Sequence, residues 1–95
     1  MTVKLIEVGS TSCGVCKMMK PMVEKAVSKF SPDELEFIYI NGDTEEGKEL
    51  MKQYHIAGVS KVPTFFFFKD AVEVESFNGG MTLPSLVQKI KSHLV

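Results

Sequence analysis

Apolar positions fall in short periodic runs separated by polar turns. Val3–Val8 is apolar apart from Lys4 and Glu7, which reads as a strand covered on both faces and so central in its sheet. Gly9 to Ser12 are small and polar, a turn into Cys13. From Cys16 to Phe30 the apolar residues Met18, Met19, Met22, Val23, Ala26, Val27 and Phe30, joined by Val15, recur at spacings of three and four. That is the stripe of an amphipathic helix, with the methionines as packing residues. Pro21 lies inside it, where it removes a hydrogen bond and favours a kink. Leu35–Ile40 is a second strand. Asp43 and Glu46 then have the spacing of a capping box opening a helix to about His55.

A loop over Ile56 to Lys61 leads through Val62-Pro63-Thr64 into Phe65–Phe68. Four consecutive Phe cannot share one sheet face, so this strand is buried on both sides. Val72–Phe77 alternates and suits an edge strand with one wet face, joined to the Phe strand through a tight turn at Asp70-Ala71. After Asn78-Gly79-Gly80, Thr82 caps a last helix with Leu83, Leu86, Val87, Ile90 and Leu94 on one face and Pro84 in its first turn. The order is β-α-β-α-β-β-α, an α/β fold. A right-handed first crossover makes the first two strands parallel, and the next two add an antiparallel hairpin.

Composition narrows the function classes. The 95 residues, expected to form a single domain over 1–95, carry a net charge of −1. Near neutrality removes the electrostatic footprint of a nucleic-acid binder. All eleven basic residues are Lys, so the bidentate anion recognition that Arg provides is absent. No apolar stretch approaches ~18 residues, so no membrane span is expected. The N-terminal segment has no signal-peptide pattern, and the expected compartment is the cytoplasm, where ordinary thiols stay reduced.

The chemistry concentrates in Ser12-Cys13-Gly14-Val15-Cys16-Lys17, between a strand and a helix, the context in which Cys-x-x-Cys reads as redox-active. As a brace the pair is poor, since a four-residue loop yields only ~2 kcal/mol. Cys13 falls at the helix N-terminus, where free N–H groups and the dipole favour an anion. Lowering a thiol pKa from ~8.5 to ~7 raises its thiolate fraction at pH 7 from ~3% to ~50%. Cys13 is therefore expected to be the exposed attacking thiolate and Cys16, a turn inside, the buried resolving thiol. Lys17 is a solvated residue able to favour that thiolate. Zinc is the competing use of such a pair, but it wants four ligands, and His55 and His93 lie in separate helical regions. Two inert core cysteines are the other alternative, against which Gly14 and the polar approach loop argue.

Val62-Pro63-Thr64 is the second feature, because a proline ahead of an apolar strand is unusual. Taken with the strand, Cys-Gly-x-Cys-Lys, Pro21, the hairpin and the closing helix, it resembles the thioredoxin family over Leu5 to Leu94. Cys16-Lys17-Met18-Met19-Lys20-Pro21 is similar to that family's active-site helix. The resemblance implies a thioredoxin-like fold, a four-stranded mixed sheet flanked by three helices, and a cis Pro63 facing the cysteines. It implies a substrate groove made by Gly14, Val15, Val62, Pro63 and Gly79, and a redox-active Cys13–Cys16 disulfide. It also places a buried acid, Glu7, under Cys16 to move its proton, with a raised pKa.

The activity implied is thiol–disulfide exchange by a monomer on disulfide-containing proteins. Electrons would come from a separate thioredoxin-reductase-type or glutathione donor, since no flavin or nicotinamide motif is present and no cofactor is expected. Several residues depart from the family pattern: Ser12 stands where Trp is usual, Val15 where Pro is usual, Glu7 for Asp, and Tyr39 for a Lys neighbour. The Gly79-Gly80 turn also resembles glutaredoxin, in which it would hold glutathione's carboxylate; otherwise it is a turn needing positive φ. A non-catalytic adaptor using the groove at Pro63 is the alternative from a different class.

Overall fold

A computed structural model describes residues 2–94, so Met1 and Val95, the ends of the expected 1–95 domain, lie outside the described residues. The elements run β1 (Val3–Gly9), α1 (Gly14–Val27), β2 (Leu35–Asn41), α2 (Glu45–Gln53), β3 (Thr64–Lys69), β4 (Val72–Asn78) and α3 (Leu83–His93). This is the order that the alternation of periods predicts. One sheet runs β2-β1-β3-β4. β1 pairs in parallel with β2 and antiparallel with β3, which makes it central, and β4 closes an antiparallel hairpin at the edge.

Two cores follow from the period of the strands. Leu5, Phe65 and Phe67 face α1 and α3 and meet Met19, Val23, Leu86 and Ile90. Ile6, Val8, Phe66 and Phe68 face the other way, with Ile40 and Ile56. The four-Phe run thus serves both layers, none of its members more than 8% exposed. Full burial of each such ring is worth roughly 1.5–3 kcal/mol, so β1 and β3 hold the elements that carry the site. Among the described residues no helix is long and apolar enough to cross a membrane.

Local chemistry shifts several boundaries from those read in the sequence. α1 ends at Val27 rather than Phe30, in a turn where Lys29 and Phe30 donate to the carbonyls of Ala26 and Val27. Its buried stripe is Cys16, Met19, Val23 and Ala26, which leaves Met18 77% exposed instead of packed. The cap of α2 is Thr44, whose hydroxyl accepts the Gly47 N–H at 2.9 Å, not Asp43. Asp43 is drawn away by Thr11, whose N–H donates to its Oδ2 at 2.9 Å. α2 stops at Gln53, and His55 beyond it takes φ 58°.

β4 is an edge strand, but its register slips at Phe67/Phe68: Phe67 faces Glu75 and Phe68 faces Glu73. Val74 is left out of the ladder and 43% exposed, a bulge that breaks the simple alternation. On the covered face Glu75 accepts from Lys89 Nζ at 2.6 Å, its other oxygen lies 2.6 Å from His93 Nε2, and Phe77 stacks on Phe65. Thr82 caps α3 as its position suggests, accepting the Ser85 N–H at 3.3 Å.

The β3–β4 turn places both Asp70 and Ala71 at positive φ, 50° and 66°. An L-residue with a side chain is disfavoured there by ~1–2 kcal/mol, part of which glycine returns as unfolded-chain entropy. Ala71→Gly is expected to stabilise the protein by about 0.5–1 kcal/mol. A urea midpoint that rises without a change in slope would establish this; an unchanged or lower midpoint would refute it.

Candidate active site

β1 delivers the chain to the start of α1 through Ser10–Ser12, and this loop is held from β2. Asn41 Nδ2 donates to Thr11 Oγ1 at 3.1 Å, Asp43 Oδ2 takes the Thr11 N–H, and Asn41 Oδ1 takes the Asp43 N–H at 2.9 Å. Cys13 is the N-cap of α1, an unusual residue for that place. Its Sγ accepts the Cys16 N–H at 3.0 Å, in the role that a Ser or Asp oxygen normally fills. No acidic residue lies in the first turn to compete for the helix's positive end.

Cys13 and Cys16 are joined as a disulfide with Cα atoms 5.2 Å apart. The expected contrast in exposure is not found in this state. Cys13 is 8% exposed and Cys16 5%, because the bond and the capping contact fold the Cys13 sulfur back against the helix. What differs is the surroundings. Cys13 Sγ meets a backbone N–H, whereas Cys16 Sγ faces inward, 3.1 Å from the point that a Cβ on Gly9 would occupy.

Behind Cys16 lies a cavity of about 400 Å³, with Glu7 and Tyr39 in its wall. Glu7 is 2% exposed, and its Oε2 has no hydrogen-bond partner. Burial pushes the carboxyl up to about 7. Lys17 and Lys20 line the same cavity from α1.

The remaining candidates lie at the start of α1, just before β3 and in the turn after β4. Gly14 and Val15 are exposed at the first turn of α1, and Val62, 39% exposed, precedes a buried Pro63 through a cis peptide. Gly79 takes φ +88°, which only glycine adopts at little cost, and its N–H donates to the Pro63 carbonyl at 2.9 Å. Next to it, Gly80 backs onto Val15. The turn after β4 is thereby fastened to both Pro63 and α1. Among the described residues no backbone hydrogen bond engages Val62. His93 lies against Glu75 and Phe67, away from His55 at the end of α2. Tyr39's closeness to Cys16 escapes sequence reasoning; the signal available was its place opposite Glu7 on the neighbouring strand.

An α/β fold with a disulfide at a helix N-terminus, above a buried carboxyl, defines a dithiol–disulfide protein. Comparison with known proteins agrees with that class. The thioredoxin family model matches residues 2–92. Thioredoxin of Chlamydia muridarum is 33% identical over 90 residues, covering 94% of this chain and 80% of that protein. Thioredoxin Y, chloroplastic, of Oryza sativa subsp. japonica is 30% identical over 90 residues, covering 95% of this chain and 50% of that protein. The oxidized mitochondrial thioredoxin 3 of Saccharomyces cerevisiae superposes with a TM-score of 0.72 at 29% identity, over 95% of this chain and 77% of that one. The chain belongs to the thioredoxin family. It spans about half the length of the chloroplastic relatives that it matches. The glutaredoxin and adaptor readings are not favoured, since the matched family is thioredoxin.

The Glu7 shift fixes a pH dependence. Its pKa in the folded protein, about 7, lies above the ordinary 4.5, so the folded state holds this proton more tightly than the unfolded chain. Its neutral form imposes no penalty below 4.5; stability then falls as pH rises toward 7 and levels off above it. The loss is about 3 kcal/mol in all. Urea unfolding of the oxidised protein at about pH 5 and about pH 8.5 reads this difference, and Glu7→Gln is expected to remove most of it. An equal difference in that variant would contradict the assignment.

Proposed function

We propose that this chain reduces disulfides in proteins, with Cys13 as nucleophile and Cys16 as resolving thiol. The observation that carries the reading is the Cys13–Cys16 bond at the N-terminus of α1, with the two sulfurs facing different surroundings. In the reduced protein the Cys16 N–H and the helix dipole favour a Cys13 thiolate. That thiolate attacks one sulfur of a substrate disulfide, and the other substrate sulfur leaves as a thiolate that takes up a proton. Cys16 loses its proton to Glu7 and attacks Cys13 Sγ, so the second substrate thiol departs and the Cys13–Cys16 bond closes. Two electrons pass to the substrate.

A carboxyl titrating near 7 suits the transfer, since it can take the proton and return it over the neutral range. The substrate chain lies in extended form beside Val62, whose unengaged backbone offers it hydrogen bonds. Val15, Gly14 and Gly79 border that segment. A separate reductase of the thioredoxin-reductase type, or a small thiol, returns the pair to the dithiol.

Insulin reduction driven by dithiothreitol tests the assignment. Cys13→Ser should fall to the uncatalysed background. Cys16→Ser should accumulate a mixed disulfide through Cys13, visible by mass and released by excess thiol. A Cys13→Ser variant as active as the parent would overturn the reading.

A further inference from the structure

Gly9, the last residue of β1, has no side chain to separate β2 from the first turn of α1. The Tyr39 hydroxyl lies 2.5 Å from the point that a Gly9 Cβ would occupy, and Cys16 Sγ lies 3.1 Å from the same point. Tyr39 therefore leans along β2, past its register partner Glu7, and ends beside the inward-facing sulfur. Sulfur, phenol and carboxyl share the wall of one cavity of about 400 Å³, room enough for a water between them.

We propose that the Tyr39 hydroxyl is the hydrogen-bond donor that receives the Cys16 sulfur when the Cys13–Cys16 bond opens. This rests on the reductase reading and adds a residue to it. A thiolate of dithiothreitol bonds to Cys13 Sγ, the Cys13–Cys16 bond breaks, and its electron pair leaves on Cys16 Sγ. The new charge appears on the buried side of the disulfide, where an unpaired anion is costly. A phenol O–H within reach of it, directly or through one water, lowers that cost without adding a charge beside Glu7. The sulfur then takes its proton from the Glu7 carboxyl, and Tyr39 keeps its own. The second dithiothreitol thiol displaces Cys13, leaving two protein thiols and oxidised dithiothreitol.

Tyr39 stays a donor through the neutral range because desolvation first, and then the carboxylates of Glu7 and Asp43, raise its pKa above the ordinary value. The other charged groups facing the cavity are Lys17, Lys20 and Glu24 from α1.

Tyr39→Phe keeps the ring and removes the donor. The oxidised parent and variant are mixed with dithiothreitol from about pH 6 to about pH 9, and thiols are trapped by alkylation as the bond opens. The variant should open about tenfold more slowly near neutrality. In the reduced variant, the Cys16 thiol should titrate at higher pH by its thiolate absorbance. Alkylation of Cys13 and the urea midpoint should be unchanged, which a merely structural role for the ring would not predict. Equal opening rates with an unmoved Cys16 titration would overturn the proposal. This reaction needs no protein substrate, so failure of the parent to reduce insulin would sink the reductase reading and leave this comparison intact.

Discussion

A carboxyl buried without a partner is the constraint around which the site is arranged. Glu7 stands on the α1 face of the central strand, two residues beyond Leu5 and opposite Phe65, where every other consideration favours an apolar side chain. Desolvation is the cause of its shift, with no ion pair to offset it. A neutral acid in such a place costs less than an ionised one, so the carboxyl titrates well above the usual carboxylate range. The destabilisation that follows at neutral pH has to be met elsewhere, and the two-sided Phe strand beside β1 supplies that margin.

The loop and the turn that flank the disulfide are restrained by different means. Asn41, Asp43 and Thr11 tie the loop before Cys13 to the end of β2 through side-chain hydrogen bonds. On the opposite side the restraint is backbone: Gly79 to the Pro63 carbonyl. Both arrangements restrain the backbone on either side of the first turn of α1. Val62 and Val15 lie outside these restraints and remain exposed.

Much of this was legible in the residues. The four-Phe run could only be a strand covered on both faces, and Thr82 with Pro84 marked the start of α3 because capping and the missing N–H of proline are local effects. The cysteine pair announced itself by spacing and by its place between strand and helix. Failures came where a distant partner outbid a local preference. Asp43 had the spacing of a cap, but the Thr11 N–H, far away in sequence, claims its carboxylate and leaves the cap to Thr44. Val74 fell out of its alternation through a bulge that no periodicity reveals. Met18 fitted the apolar count of α1 but not the narrower stripe that the sheet covers.

The two cysteines show why exposure is an incomplete guide to reactivity. Their exposures differ by only a few percent, yet their sulfurs meet opposite environments. One is a helix cap, in contact with an N–H that favours negative charge whether or not water reaches it. The other faces a cavity that it shares with Glu7, whose burial raises its carboxyl to about 7, so the acid beside this sulfur titrates in the neutral range. Inversion of either environment would leave the spacing and the fold intact. The sulfur that ionises first would nevertheless change, and with it the one that leaves faster when the bond is opened. The asymmetry is a property of β1 and its Glu7 as much as of the motif itself.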